Sequence, residues 1–409
     1  MNKRLTFSVL AALLCAILPA QELPKAEIAQ QPPCVHVDRA GLHFPGSRDA
    51  QDHFYGLLDS LMAGSGRSVN IWHVGGSHVQ AGVWTAQLRR NLLSLRYGLD
   101  GGFGLVFPYA AAGTNTPMSY CSSATGNWTF TRCLKPDPAI PLGVSGIEVS
   151  TSDPSATILI DLTERNPREW SPSFTFRSVD VLGTSVSGET YPVIIMDRDT
   201  LRGVFNGSRW HFDLPHYTEY VRVGFKGFPG SFSLTGLYLD TPAEGLTVSG
   251  IGVNGASTWS YLKCRDFERD MALLNPDLVI FSIGINDIQG TEFDVQAFIS
   301  NYRRIVSKVR GANPRCAILF TSNNDSYFKG REPNRFSGDV EEAFRSLAKE
   351  YKSGFWDLYD LMGGMGSVRE WELHNLVRSD KVHFTTEGYD LLGDLLYNAL
   401  MDVYSDYAR

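Results

Sequence analysis

The sequence is thin in several features that would announce a function. Only 6 of its residues are cysteine. Beyond the N-terminal segment these are Cys34, Cys121, Cys133, Cys264 and Cys316, an odd number at spacings that fit no zinc pattern. A disulfide-built minidomain and a zinc module are therefore excluded. Basic residues are outnumbered, 37 Lys and Arg against 44 Asp and Glu, and there is no long basic run. The chain thus lacks the electrostatic footprint of a nucleic-acid binder. After residue 20 no apolar run approaches the roughly 20 residues of a membrane span. His36, His43, His73 and His374 form no ligand-like grouping, so neither a metal nor another cofactor is expected. Internal repeats and low-complexity tracts are missing as well.

What remains is the composition of a soluble globular protein, 43% hydrophobic and 20% charged. At 409 residues there is room for more than one core. The net charge of −7 favours solubility and says little about a substrate.

Lys3 and Arg4 precede an apolar stretch from Leu5 to Leu18 that ends in Pro19-Ala20, the layout of an export signal. Leu13 and Leu14 are bulky where lipid attachment to Cys15 would want small residues. The expectation is a signal over 1–20 and a polar linker over 21–35, containing Pro32-Pro33. The protein would then be exported, periplasmic or secreted from a bacterial cell. In an oxidising compartment Cys121 and Cys133 are placed to bridge across a short loop. Cys316, in the apolar run to Phe320, reads as a buried thiol.

Val69 to Val74 is an apolar, β-branched run that stops at Gly75-Gly76, and helical spacing follows from Gln80 to Leu95. From about Gly101 to Gly245 the pattern changes to short runs such as Ala156–Ile160, Tyr191–Met196 and Tyr220–Phe225, separated by turn residues. This reads as an all-β sandwich. Strand and helix then alternate again. Leu246–Val253 precedes a helical Trp259–Leu274, Leu278–Ile283 precedes Val295–Arg310, and Ala317–Thr321 precedes Val340–Tyr351. Gly354–Leu358 is the last expected strand and Thr386–Tyr404 the last helix. Such alternation predicts a parallel sheet covered on both faces. The expected organisation is an α/β domain in two parts, 36–112 and 246–409, interrupted by an inserted β-rich domain over 113–245.

Four short segments stand where ligands bind in open α/β sheets, at the carboxyl ends of strands. Gly75-Gly76-Ser77-His78 puts a serine on a tight turn at a helix start, where its N–H faces developing negative charge. Gly252–Ala256 offers a glycine N–H at Gly255, and Gly284–Asp287 offers the Asn286 amide. Asp380-Lys381-Val382-His383 spaces a carboxylate to reach an imidazole across a turn. Singly, each also reads as a common loop, turn, cap or surface pair.

In this order the four segments resemble the SGNH hydrolases, named for Ser, Gly, Asn and His in four blocks. The resemblance covers about Arg67–Leu93 and Val248–Tyr404. It implies a flavodoxin-like three-layer fold and serine esterase chemistry. Ser77 would be the nucleophile, His383 the base and Asp380 its orienting acid, with Ser77, Gly255 and Asn286 forming the oxyanion hole. A narrower resemblance is to the peptidoglycan O-acetylesterase branch. It rests on Ser77-His78-Val79-Gln80, on Gly102–Tyr109, on Ala112–Asn115 and on the β-rich insertion. That branch implies an acetylated cell-wall polysaccharide as partner and an acetyl-serine intermediate. Other readings stay open: an acetylesterase for another glycan, a glycan O-acetyltransferase, or a carbohydrate-binding protein with a decayed site. Gly76 points to the last, because the family's first block usually carries aspartate there.

Trp128, Phe130, Trp210, Phe212, Tyr217 and Tyr220 of the insertion are expected to fill a sandwich core, with sugar stacking as the alternative. Asn127 and Asn206 stand in glycosylation-acceptor sequences that a bacterial-style signal leaves without a role.

Overall fold

The computed structural model describes residues 23–28, 31–64, 66–163 and 174–408. The expected export signal and Cys15 lie outside the described residues. Among the described residues no helix is long and apolar enough to cross a membrane.

A six-stranded sheet organises the α/β part, in the order Leu42–His43, Gly354–Trp356, Ala317–Thr321, Leu278–Ser282, Val69–Gly75, Leu246–Gly252. Five strands are parallel, and Leu42–His43 joins antiparallel at one edge. Every residue of Val69–Gly75 is buried, which explains a run without polar alternation. Side chains still alternate between two cores. Leu278, Ile280 and Leu319 meet Tyr55, Leu88, Leu392 and Leu396 on one face. Val279, Phe281, Ile318 and Phe320 meet Phe298, Tyr302 and Phe344 on the other. Full burial of such side chains contributes about 1.5–3 kcal/mol each, and it sandwiches the sheet between two helical layers.

The helical expectations are met with informative breaks. The stretch after Ser77 is two helices, Ser77–Gln80 and Val83–Leu93, because Gly82 between them is left-handed at φ 80°. Trp259–Leu274 likewise divides into Thr258–Leu262 and Phe267–Leu274. The last expected strand ends at Trp356, and Asp357 caps a short helix, Leu358–Met362. The helices Asp49–Met62, which buries Phe54, Tyr55, Leu58 and Leu61, and Val368–Leu373 are additions to that expectation.

Between the two α/β segments the chain forms two antiparallel sheets of five and seven strands. Val149, Val181, Phe232 and Leu234 of one sheet and Ile158, Ile160, Val221 and Val223 of the other belong to one core. The strand Gly104–Val106, expected with the first α/β segment, pairs with Gly230–Asp240 of the seven-stranded sheet. The β unit therefore reaches back before residue 113. Of its aromatics, Phe212 is buried, but Phe130, Tyr217 and Tyr220 are exposed, since they sit on outward-facing positions of their strands. Cys121 and Cys133, which the spacing allowed to bridge, are both free cysteines. Cys133 and Cys264 are both buried free thiols in the same core. Cys316 is fully buried.

Candidate active site

Three parallel strands end in register. Gly75 pairs with Gly252 on one side and with Ser282 on the other, so the loops that follow emerge at one edge. Two buried phenols fasten the strand-end carbonyls: Tyr261 donates to Gly75 O and Tyr109 to Gly252 O, each at 2.8 Å. Glycine is required at position 75, where a Cβ would overlap Val79 Cγ2 and lie 3.0 Å from Ser282 O.

Ser77 opens the short Ser77–Gln80 helix, so its N–H is among the donors that helical geometry leaves without an intrahelical acceptor. Ser77 Oγ lies 2.8 Å from His383 Nε2, and His383 Nδ1 lies 2.9 Å from Asp380 Oδ2. With Nδ1–H donating to the carboxylate, Nε2 is the acceptor for the serine hydroxyl. Asp380 Oδ1 also accepts the backbone N–H groups of Val382 and His383, each at 2.9 Å. This compact turn needs Lys381 in the left-handed region, at φ 56°. Its carbonyls are held in turn, by the Asn324 amide on Val382 O at 3.0 Å and by Arg378 N–H on His383 O at 2.7 Å. Burial opposes ionisation of Asp380, but the hydrogen bonds from His383 and Val382 outweigh it and hold the carboxyl well below the usual carboxylate range.

Gly255 and Asn286 come from the neighbouring loops. Gly255 sits on an exposed turn at φ 82°. Asn286 is fixed by donating from Nδ2 to Ala256 O at 2.9 Å, which leaves its second amide hydrogen for another acceptor. Gly76 lies beside both loops, since a Cβ there would be 3.3 Å from Asn286 Nδ2 and 3.5 Å from Ala256 O. Ser77, Gly255 and Asn286 therefore follow the carboxyl ends of three neighbouring strands, and the Asp380–His383 turn is joined to them through Ser77.

Several contacts that brace the site were not part of the sequence reading. Gln80 Oε1 accepts Asn254 N–H at 2.6 Å and Gln80 Nε2 donates to Asn115 O at 3.0 Å. One side chain thus ties the Ser77 helix to the Gly255 loop and to the Ala112–Asn115 stretch. Asp287 Oδ1 accepts the Thr258 hydroxyl at 2.6 Å, linking the Asn286 segment to the helix that follows Gly255. His78 Nδ1 meets Tyr389 Oη at 2.9 Å. Buried His73 spans Thr85 and Ser282, at 2.9 and 2.8 Å. Its neutral role in the core needs no ligand. Each partner is distant in sequence, so only the fold brings them together.

Residues 230–391 match the GDSL-like lipase/acylhydrolase family. That span takes in Gly255, Asn286, Asp380 and His383 and begins after Ser77. No curated protein sequence matches the chain. Among solved structures, a peptidoglycan O-acetylesterase superposes with a TM-score of 0.73 at 22% identity, covering 89% of this chain and 99% of its own. A lipase/acylhydrolase from Enterococcus faecalis is 18% identical with a TM-score of 0.32, covering 39% of this chain and 78% of its own. A carbohydrate esterase family 3 protein from Talaromyces cellulolyticus is 18% identical with a TM-score of 0.30, covering 41% and 77%. Over residues 230–391 the chain is therefore similar to the GDSL-like lipase/acylhydrolases, and it shares the SGNH hydrolase fold with that peptidoglycan O-acetylesterase.

Proposed function

We propose that the protein is an exported O-acetylesterase that removes acetyl groups from a cell-wall polysaccharide, peptidoglycan first among them. The observation that carries the chemistry is the hydrogen-bonded chain from Ser77 through His383 to Asp380, at 2.8 and 2.9 Å. In this reading Ser77 Oγ attacks the acetyl carbonyl while His383 Nε2 takes its proton. The Ser77 and Gly255 N–H groups and the Asn286 amide receive the negative charge that develops on the carbonyl oxygen. His383 then returns the proton to the departing sugar oxygen, leaving an acetyl-serine. Water, deprotonated by the same imidazole, releases acetate and restores Ser77. No step calls for a cofactor.

The substrate class is supported by the fold shared with a peptidoglycan O-acetylesterase along nearly all of that chain. The layout of residues 1–20 supports a place outside the cytoplasm. The test compares acetate release from O-acetylated peptidoglycan, acetylated xylan and a small acetyl ester. The highest kcat/KM is expected on peptidoglycan. Turnover of the xylan and the small ester with none on peptidoglycan would remove that polymer and keep the esterase.

A further inference from the structure

We infer that His78 and Tyr389 are a positioning pair that sets the spacing between Ser77 and His383, an inference that rests on the esterase reading above. Two consecutive side chains leave the Ser77–Gln80 turn towards the same partner segment. Ser77 reaches His383, and His78 Nδ1 meets Tyr389 Oη at 2.9 Å. Tyr389 lies in the first turn of Thr386–Tyr407, the helix that begins just after His383. The second contact thus duplicates the first, between the same two stretches of chain.

The pair is built into the core. His78 is 5% exposed and Tyr389 2%. The His78 ring packs against His383 at 5.2 Å between centroids, tilted by 41°, and against Phe384 at 5.7 Å. Phe384 in turn packs on Tyr389 at 5.5 Å. His383 therefore leans on a ring that the Tyr389 hydroxyl holds in place. Burial pushes the His78 imidazole down to about 3, so it stays neutral and sets no fixed charge against an imidazolium forming on His383. Accepting from Tyr389 at Nδ1, a neutral ring carries its proton on Nε2. That nitrogen has no protein partner among the described residues, and His78 borders a small cavity of mixed lining, with Ser282, Thr321 and Asn323 beside Trp84, Ile285 and Leu358. Among the described residues its one ring hydrogen bond is the one to Tyr389, which makes that bond decisive for ring orientation.

The test uses kcat and KM on a small acetyl ester, with kcat expressed per reactive serine from burst titration. Tyr389→Phe keeps the ring and removes the hydroxyl. His78→Leu removes the acceptor, whereas His78→Asn keeps an acceptor oxygen near the Nδ1 position. Tyr389→Phe and His78→Leu should each lower kcat about 10- to 100-fold with KM changed less than about twofold, the scale of a small misplacement of reacting groups. His78→Asn should stay within about threefold of the wild type, and the double variant Tyr389→Phe/His78→Leu should be no worse than the poorer single one. Wild-type kcat in Tyr389→Phe, or losses that multiply in the double variant, would overturn the inference. If Tyr389→Phe does not fold, the contrast between His78→Asn and His78→Leu decides. Failure of the esterase reading looks different: the wild type and Ser77→Ala would then behave alike, and the pair would have no reaction to position.

Discussion

A Cβ on Gly76 would stand 3.3 Å from the Asn286 amide nitrogen, so a side chain there would press on the amide that sits against the turn carrying Ser77. An oxyanion donor must lie within about 2.7–3.1 Å of the charge it meets. Asn286→Ala should lower kcat about 10²- to 10³-fold on a small acetyl ester. Gly76→Ala, by displacing the same amide a few tenths of an ångström, should cost about tenfold in kcat. Equal kcat in wild type and Asn286→Ala would take that amide out of the reaction.

Asp380 orients His383 and stays ionised, because three hydrogen bonds hold its carboxyl below the usual range. Asp380→Asn should reduce kcat by about 10³- to 10⁴-fold, through loss of the correct imidazole tautomer. Stability linked to Asp380 is present above its unfolded pKa of 3.8 and lost only as pH falls through the lower folded value. Lowering the pH from 6 to 5 should therefore cause no unfolding through this group, which far-ultraviolet circular dichroism would check.

Asp287 behaves in the opposite sense. Burial comes first and raises its carboxyl to about 6, although it accepts from the Thr258 hydroxyl and N–H. The folded chain keeps that proton up to about pH 6, while the unfolded chain releases it near 3.8. The resulting stabilisation is full below the unfolded value and is lost as pH rises through 6. Asp287→Asn, which still offers an acceptor oxygen, should lose less stability between pH 4 and pH 7 than the wild type, by about 1–2 kcal/mol in urea titrations. Parallel pH profiles for the two proteins would contradict this.

Gly75→Ala tests the close approach of the strand end to Val79 and Ser282. The added methyl has no room beside Val79 Cγ2 or Ser282 O. A loss of about 1–3 kcal/mol is expected, with a matching fall in Tm. An unchanged Tm would mean the turn relaxes freely.

Much of this arrangement could be read in the chain itself. The runs Val69–Val74 and Leu278–Ile283 are continuous apolar stretches that stop at turn residues, so local pattern placed Ser77 and Asn286 at strand ends, and the order of the four segments with the family resemblance made them site candidates. Asp380 and His383 were legible because one turn brings them together. What was not legible depends on distance along the chain. Nothing near Gln80 signals Asn115 and Asn254. The helix Asp49–Met62 did carry a pattern, with Phe54, Leu58 and Leu61 on one buried face, and it could have been found. The break at Gly82 needed the loop at Pro117 and Met118, which packs against it.

The most direct test is whether Ser77 carries the acyl group. The wild type and Ser77→Ala would be acid-quenched during turnover of a small acetyl ester, and the peptide containing residue 77 would be weighed by mass spectrometry. One added acetyl group on Ser77 in the wild type, and neither adduct nor acetate release in Ser77→Ala, is the predicted result. Acetate release by Ser77→Ala at the wild-type rate would contradict it.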